Sequence, residues 1–132
     1  MLPFGKPAIR IFGVIEILPS VNTGAAFSVL NGKNTLLILV SGILLILLAL
    51  YAEKHLQMTR FGKISTMFLI GGGIGNLLDR LLYGGVTDYI RILLFDFPVF
   101  NIADIAVVCS AFSLIILLLT NRLEVPTGDK HG

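Results

Sequence analysis

The feature that most constrains the fold is an uncharged apolar run, residues 35–51, built mainly from Leu and Ile. A helix of this length rises about 26 Å, close to the thickness of a bilayer's hydrocarbon core. The whole chain is 55% hydrophobic and only 14% charged, whereas soluble domains have about a quarter of their residues charged. A chain this apolar cannot cover itself with its own polar surface, so we expect an integral membrane protein.

Two further segments, residues 64–83 and 100–120, are long and apolar enough to cross a bilayer. Residues 52–63 between the first two contain the densest basic cluster of the chain. Basic residues favour the cytoplasmic side, so residues 84–99 are expected on the opposite side. The predicted fold class is therefore an all-α integral membrane protein: one domain, residues 1–132, with a small bundle of three transmembrane helices and a small extracytoplasmic β-rich patch.

Outside these helices, residues 1–34 are expected to be extracytoplasmic or interfacial. Residues 121–132 are expected to form a polar, disordered cytoplasmic tail. Alternating isoleucines in residues 8–18 favour extended structure at the membrane surface. Residues 21–34 contain turn-forming Gly and Asn-Gly, which fit either a short β-rich excursion or an ordinary loop. The VTDYIRI stretch, residues 86–92, alternates like a strand.

The glycines of the second segment indicate close helix packing. Gly71 and Gly75 form a G-x-x-x-G pair, which lets helix backbones approach closely in lipid. A dinucleotide-binding loop is not supported, because Asn76 stands where the third glycine of that motif is required.

Four of the five aspartates lie in residues 71–104, within strongly apolar surroundings. Asp88 and Asp104 are placed on the same side of the membrane, near its boundary. Two adjacent carboxyl groups share a proton, so one can act as base and the other as acid. The alternative is structural: Asp104 as the first-turn partner of an N-cap at Asn101, and Asp88 as a solvated turn residue.

Helical spacing places Asn76, Asp79 and Arg80 together near the far end of the second helix. The amide and the guanidinium are suited to binding a peptide backbone. For Asp79 we expect only pairing at the interface with a neighbour, Arg80 in particular. The net charge of +2 is scattered and does not indicate nucleic acid, and the single Cys and two His form no cluster suited to zinc.

Four blocks carry a resemblance to a known family: NTGAAF (22–27), GGGIGNLLDR (71–80), VTDY (86–89) and FNIAD (100–104). In this order and spacing they resemble lipoprotein signal peptidase, or signal peptidase II, over about residues 20–120. The resemblance implies a multi-pass aspartic peptidase of the bacterial cytoplasmic (inner) membrane, with its active site towards the extracytoplasmic face. Such an enzyme removes the signal peptide of prolipoproteins, cutting before a cysteine that already bears diacylglyceryl.

The resemblance also implies roles for individual residues. Asp88 and Asp104 would be the catalytic pair. The residues that would support the pair or bind substrate are Asn22, Gly24, Asn76, Arg80, Asn101 and Ala103. No metal or cofactor is implied. The implied partners are membrane lipids, the prolipoprotein substrate and globomycin-type inhibitors, with the protein acting as a monomer.

The sequence departs from the family at two points. Tyr89 replaces the usual Phe, and the family has four transmembrane helices where three are predicted here, so the first helix is expected upstream of Met1. Two other functions remain open: an inactive fragment of the peptidase, or a small transporter or helix-packing protein with Asp79, Asp88 and Asp104 as ion ligands. The positions of these aspartates at helix ends count against a transporter.

Overall fold

The structure is a computed structural model that describes residues 8–25, 30–54 and 57–125. It contains three helices and one small antiparallel sheet with strand order β1-β2-β3. In chain order the elements are β1 (Ile9–Ile11), β2 (Ile15–Asn22), α1 (Asn34–Lys54), α2 (Arg60–Tyr83), β3 (Val86–Ile92) and α3 (Ile102–Leu119).

Two of the helices, α1 and α3, are long and apolar enough to span a membrane, with mean hydropathies of 2.7 and 2.6. Their leucines and isoleucines are largely exposed, as expected for surfaces that face lipid; Leu44, for example, is 60% exposed. The helix α2 is longer, at 24 residues, but less apolar, so the prediction of three spanning helices is confirmed only in part. It begins at Arg60, earlier than predicted, because the Thr59 hydroxyl caps it by accepting a hydrogen bond from the Gly62 N–H.

The helices α2 and α3 pack closely together at Gly72. A Cβ there would be 2.7 Å from the Ala103 carbonyl oxygen and 2.9 Å from Val107 Cγ2. A Cβ on Gly75 would make only an ordinary contact, at 3.6 Å from Ala103 Cβ, and one on Gly71 would meet nothing within 4 Å. The predicted packing role of Gly71 is therefore wrong, because each residue turns about 100° around a helix and Gly71 faces away from α3.

The sheet confirms the extended structure predicted for residues 8–18 and 86–92. The strands β1 and β2 form a hairpin whose turn residues, Phe12 and Gly13, both have positive φ, +50° and +68°. The strand β2 also pairs antiparallel with β3, with a register shift between Ile17 and Ser20. A small β-rich patch was predicted beside the helices, so the all-α fold class is confirmed in part. Of the two alternatives for residues 21–34, the strand continues only to Asn22, and residues 23–25 and 30–33 form a loop as the second alternative predicted. Residues 26–29 lie outside the described residues.

At the opposite end of the helices, residues 121–125 lie against the connection between α1 and α2. The Thr59 N–H donates to the Leu123 carbonyl at 2.7 Å, and the Val125 N–H donates to the Gln57 carbonyl at 2.8 Å. Met58 and Leu123 are only 4% and 6% exposed. The predicted disordered tail is therefore wrong for residues 121–125, because their backbone groups and Leu123 are held by this contact. Residues 126–132 lie outside the description.

Candidate active site

Two turns of the backbone bring Asp88 and Asp104 into one site. The helix α2 ends at Gly84, whose φ of +76° is the left-handed conformation that glycine adopts without strain. The chain then returns as β3, which contains Asp88. Phe100 forms a bridge with Ile90 of β3, so the start of α3, with Asp104 in its first turn, lies beside the strand.

Asn101 contacts both carboxylates, that of Asp88 through its side chain and that of Asp104 through its backbone N–H. Its Oδ1 accepts a hydrogen bond from the Asp104 N–H at 2.9 Å, and Asp104 Oδ2 accepts one from the Asn101 N–H at 3.0 Å. This is a capping box at the start of α3. The Asn101 Nδ2 also donates to Asp88 Oδ1 at 3.1 Å. The structural and the catalytic interpretations of Asp104 are therefore compatible, because one residue serves the cap and contacts both carboxyl groups.

Two further asparagines donate hydrogen bonds to the other two carboxylate oxygens, Asp88 Oδ2 and Asp104 Oδ1. Asn22 Nδ2 donates to Asp88 Oδ2 at 3.1 Å. Asn76 Nδ2 donates to Asp104 Oδ1 at 2.8 Å, while its Oδ1 accepts from Asn101 Nδ2 at 3.0 Å. Each of the four oxygens thus accepts one hydrogen bond from an amide or a backbone N–H. Since both polar atoms of Asn76 contact the site itself, its side chain orients Asp104 and Asn101.

Arg80 is buried, 8% exposed, and joins the site to the segments before α1. Its Nη2 donates to the Gly24 carbonyl at 2.7 Å and its Nη1 to Asn34 Oδ1 at 3.4 Å, while Asn34 Nδ2 returns a bond to the Arg80 carbonyl at 3.1 Å. Asp79 instead accepts the Thr87 N–H at 2.9 Å. The expected pairing of Asp79 with Arg80 is therefore wrong, because the two side chains leave α2 in different directions.

Two residues of this network were missed at the level of sequence. Asn34 is the polar residue immediately before the long apolar run, a position that a search for helix starts would have found. Ser20 donates through its hydroxyl to the Asp88 carbonyl at 3.3 Å. Nothing in the local sequence distinguishes it, because its contact depends on the pairing of β2 with β3.

The carboxylate pair opens into a cleft of about 860 Å³, within the size range of small-molecule sites. Its polar part is lined by Asn22, Asn76, Arg80, Asp88 and Asp104, and its apolar part includes Phe100, Ile105 and Val108. A second cavity of about 780 Å³ is lined by Asn101, Ala103, Asp79 and Tyr89 among others. All eight residues singled out from sequence are therefore at or next to the site, Gly24 through its carbonyl. Within the described ranges no three His, Cys, Asp or Glu residues are placed to hold a metal ion.

The environment of Asp88 favours its protonated form. Burial is the largest effect and raises the pKa of this carboxyl, and the negative charge of Asp104 raises it further. The hydrogen bonds from Asn22 and Asn101 and the charge of Arg80 act in the opposite direction but do not reverse the shift. Asp88 is thus suited to hold the proton of the pair and to donate it as a general acid.

Fold and site together define a membrane protein with paired carboxyl groups at the end of its helical bundle. The sequence profile described as Signal peptidase (SPase) II matches residues 3–120. The chain belongs to the signal peptidase II family.

Individual relatives agree with this assignment. A lipoprotein signal peptidase of Clostridium novyi is 42% identical over 101 residues, 74% of this chain and 68% of that protein. The same enzyme of Staphylococcus aureus is 39% identical over 107 residues, 80% of this chain and 66% of that protein. This chain therefore spans about two thirds of the length of these relatives.

Solved structures give the same result for the fold. A structure described as a bacterial membrane enzyme superposes with a TM-score of 0.81 at 32% identity, covering 96% of this chain and 76% of the other. A second one of the same description has a TM-score of 0.77 at 34% identity, covering 87% of this chain and 76% of the other.

Proposed function

We propose that this chain is an aspartic peptidase that cleaves the signal peptide from diacylglyceryl-modified prolipoproteins, with Asp88 and Asp104 as its catalytic pair. Family membership supports the reaction class. The observation that carries the assignment of residues is the Asn101 side chain, which contacts Asp104 N–H and Asp88 Oδ1 together. A residue that only capped α3 would have no need of the second contact.

In the proposed first step a water molecule attacks the carbonyl carbon of the peptide bond. Asp104 acts as base and takes a proton from the water, since hydrogen bonds from the Asn101 N–H and from Asn76 Nδ2 hold its carboxyl group in position. Asp88 holds the shared proton and donates it to the carbonyl oxygen. The product is a neutral tetrahedral diol, and both carboxyl groups have exchanged protonation states.

In the second step the diol collapses and the carbon–nitrogen bond breaks. Asp104 gives its proton to the leaving amine nitrogen, and Asp88 recovers a proton from a hydroxyl of the diol as the new carboxyl group forms. The pair returns to its starting state with one shared proton. No metal or cofactor is needed for this cycle, because both proton transfers use the same two side chains.

The position of the pair supports a lipid-bearing substrate. Asp104 lies in the first turn of the apolar helix α3, where a peptide whose cysteine is anchored in the bilayer would present its cleavage site. The basic residues Lys54, at the end of α1, and Arg60, at the start of α2, lie at the helix ends distant from the carboxylate pair. Because basic residues favour the cytoplasmic side, this favours an extracytoplasmic site in the bacterial inner membrane. We expect globomycin-type inhibitors to occupy the same cleft.

The test is a cleavage assay on purified protein in detergent with a diacylglyceryl-modified prolipoprotein. Asp88→Asn and Asp104→Asn should each abolish cleavage, because Asn can act neither as the base nor as a carboxylic acid. The double variant should be no worse than either single one, since the two groups act as a unit. Asp96→Asn is the matched control: this exposed carboxylate lies in the connection to α3 and should be dispensable.

Thermal melting in the same detergent checks that each variant remains folded. Substantial cleavage by a folded Asp88→Asn or Asp104→Asn protein would refute the catalytic pair. Cleavage of an unmodified prolipoprotein at the same rate as the modified one would instead refute the proposed substrate class.

A further inference from the structure

An exposed apolar surface surrounds the hairpin turn at Phe12. We call it the tip surface and define it by Phe12, Leu94, Phe95 and Phe97, which are 97%, 69%, 58% and 41% exposed. The Leu93 N–H donates to the Val14 carbonyl at 2.8 Å, so the segment that follows β3 lies against the hairpin turn. Single exposed apolar residues are ordinary, but a cluster with three phenylalanines indicates an interaction surface.

Neither the core nor the turn explains the residue at position 12. The turn is closed by a hydrogen bond from the Val14 N–H to the Ile11 carbonyl at 3.1 Å. Its two central residues have positive φ, a geometry that favours Asn, Asp or Gly and is unusual for a bulky side chain. The Phe12 ring therefore gains nothing from the backbone at this position and nothing from packing.

The tip surface is continuous with the lipid-facing surface of α3. Phe95 packs edge-on against Phe97, with ring centroids 6.0 Å apart, and Phe97 against Phe100 at 5.7 Å. Two positions after Phe100 lies Ile102, the first residue of α3, which is 64% exposed. Aromatic residues are enriched where a membrane meets water. Asp96 within this segment is exposed and free to remain in the headgroup layer.

A row of charges lies beside the tip surface, one from each strand. Glu16 of β2 forms ion pairs with Arg10 Nε at 3.1 Å and with Arg91 Nη1 at 3.6 Å. The Glu16 side chain is 7% exposed, whereas those of Arg10 and Arg91 are 70% and 51% exposed. Two cations thus share one buried anion, and their excess positive charge complements anionic phospholipid headgroups.

We infer that the tip surface inserts into the interfacial layer of the bilayer, with Arg10 and Arg91 contacting anionic lipid headgroups. The turn then acts as a second point of membrane contact besides the helices. The strand β2 follows this turn and pairs with β3, which contains Asp88. The contact of the turn with lipid therefore also determines how far Asp88 lies from the membrane surface. This inference does not depend on the catalytic assignment.

The chain has no Trp, so a single introduced Trp reports the environment of one position. Phe12→Trp protein is reconstituted in phosphatidylcholine vesicles containing phosphatidylglycerol, with bromine placed on the acyl chains either near the headgroup or near the chain end. Interfacial side chains lie about 5–10 Å into the headgroup and acyl boundary. Bromine near the headgroup should therefore quench this emission more strongly than bromine near the chain end.

Leu44→Trp, in the middle of α1, is the control for a lipid-buried site and should show the opposite order. Leu94→Trp repeats the measurement on the tip surface if Phe12→Trp protein does not fold. Quenching by brominated phosphatidylglycerol should exceed that by brominated phosphatidylcholine, and Arg10→Gln in the Phe12→Trp background should reduce this preference by up to about fivefold.

Three results would overturn the inference. Emission at the wavelength of water-exposed Trp with no quenching would place the tip in water. Blue-shifted emission without quenching would show that protein, such as a second copy of this chain, covers it. Equal quenching by both lipid classes would show that Arg10 and Arg91 do not bind anionic headgroups preferentially.

Discussion

Asn101 is the residue whose substitution best separates the structural and the catalytic interpretations of the site. Its Oδ1 caps α3 through the Asp104 N–H, and its Nδ2 donates to Asp88. Asp is as good an N-cap as Asn, so Asn101→Asp keeps the first contact and removes the second. Asn101→Ala removes both.

The expected magnitudes follow from these contacts. Asn101→Ala loses a cap, which costs about 1 kcal/mol of stability, and a hydrogen bond to the protonated Asp88 carboxyl, about 0.5–1.5 kcal/mol. Asn101→Asp keeps the cap but places a carboxylate oxygen where an N–H lay 3.1 Å from Asp88 Oδ1. If both carboxyl groups were ionised, two charges at that separation would repel by about 5 kcal/mol at an effective dielectric constant of 20. The site should therefore take up an extra proton, and we expect cleavage to fall by about 10²-fold or more.

The assay combines cleavage rates for both variants with thermal melts across pH. Both variants should melt below the wild type at neutral pH, while Asn101→Asp alone should be nearly inactive and should regain stability as the pH is lowered. Wild-type cleavage by folded Asn101→Asp protein would show that Asn101 only caps the helix. The contact with Asp88 would then be incidental, and the argument for the pair would fail.

Two further predictions concern pH and helix packing. Burial raises the pKa of Asp88 in the folded protein, so its protonated form contributes stability that is fully present below the ordinary carboxyl pKa of about 3.9 and is lost as the pH rises through the raised value. Melting temperatures should therefore fall as the pH rises over that range. Asp88→Asn should remove this part of the pH dependence. Gly72→Ala should destabilise the protein by about 1–3 kcal/mol in denaturation experiments, because its Cβ would meet the Ala103 carbonyl. The adjacent Gly71→Ala, which meets nothing within 4 Å, should be neutral or slightly stabilising, and equal effects of the two would contradict the packing described here.

The sequence by itself determined the membrane class, the approximate helices and the strand after α2, and it singled out Asp88 and Asp104 as the candidate pair. Hydropathy and alternation are local properties, since the bilayer selects long apolar runs wherever they lie and a strand alternates with period two. The four aspartates of residues 71–104 were singled out because a carboxylate in apolar surroundings is costly and so indicates a use. Asp88 and Asp104 were chosen among them because both are predicted near the membrane boundary on one side, and the family resemblance implies the same two residues.

Only the tertiary structure decided which neighbours these residues have. The choice of Gly72 over Gly71 as the packing glycine depends on the rotation of α2 against α3, to which a repeating sequence pattern is insensitive. The contact of Asp79 with the Thr87 N–H, in place of Arg80, depends on where β3 returns beside the helix. Asn101 contacts both carboxylates because the capped end of α3 and the strand β3 meet at one point. Contacts of this kind join segments far apart in the chain, and their geometry is determined by packing, so no local pattern records them.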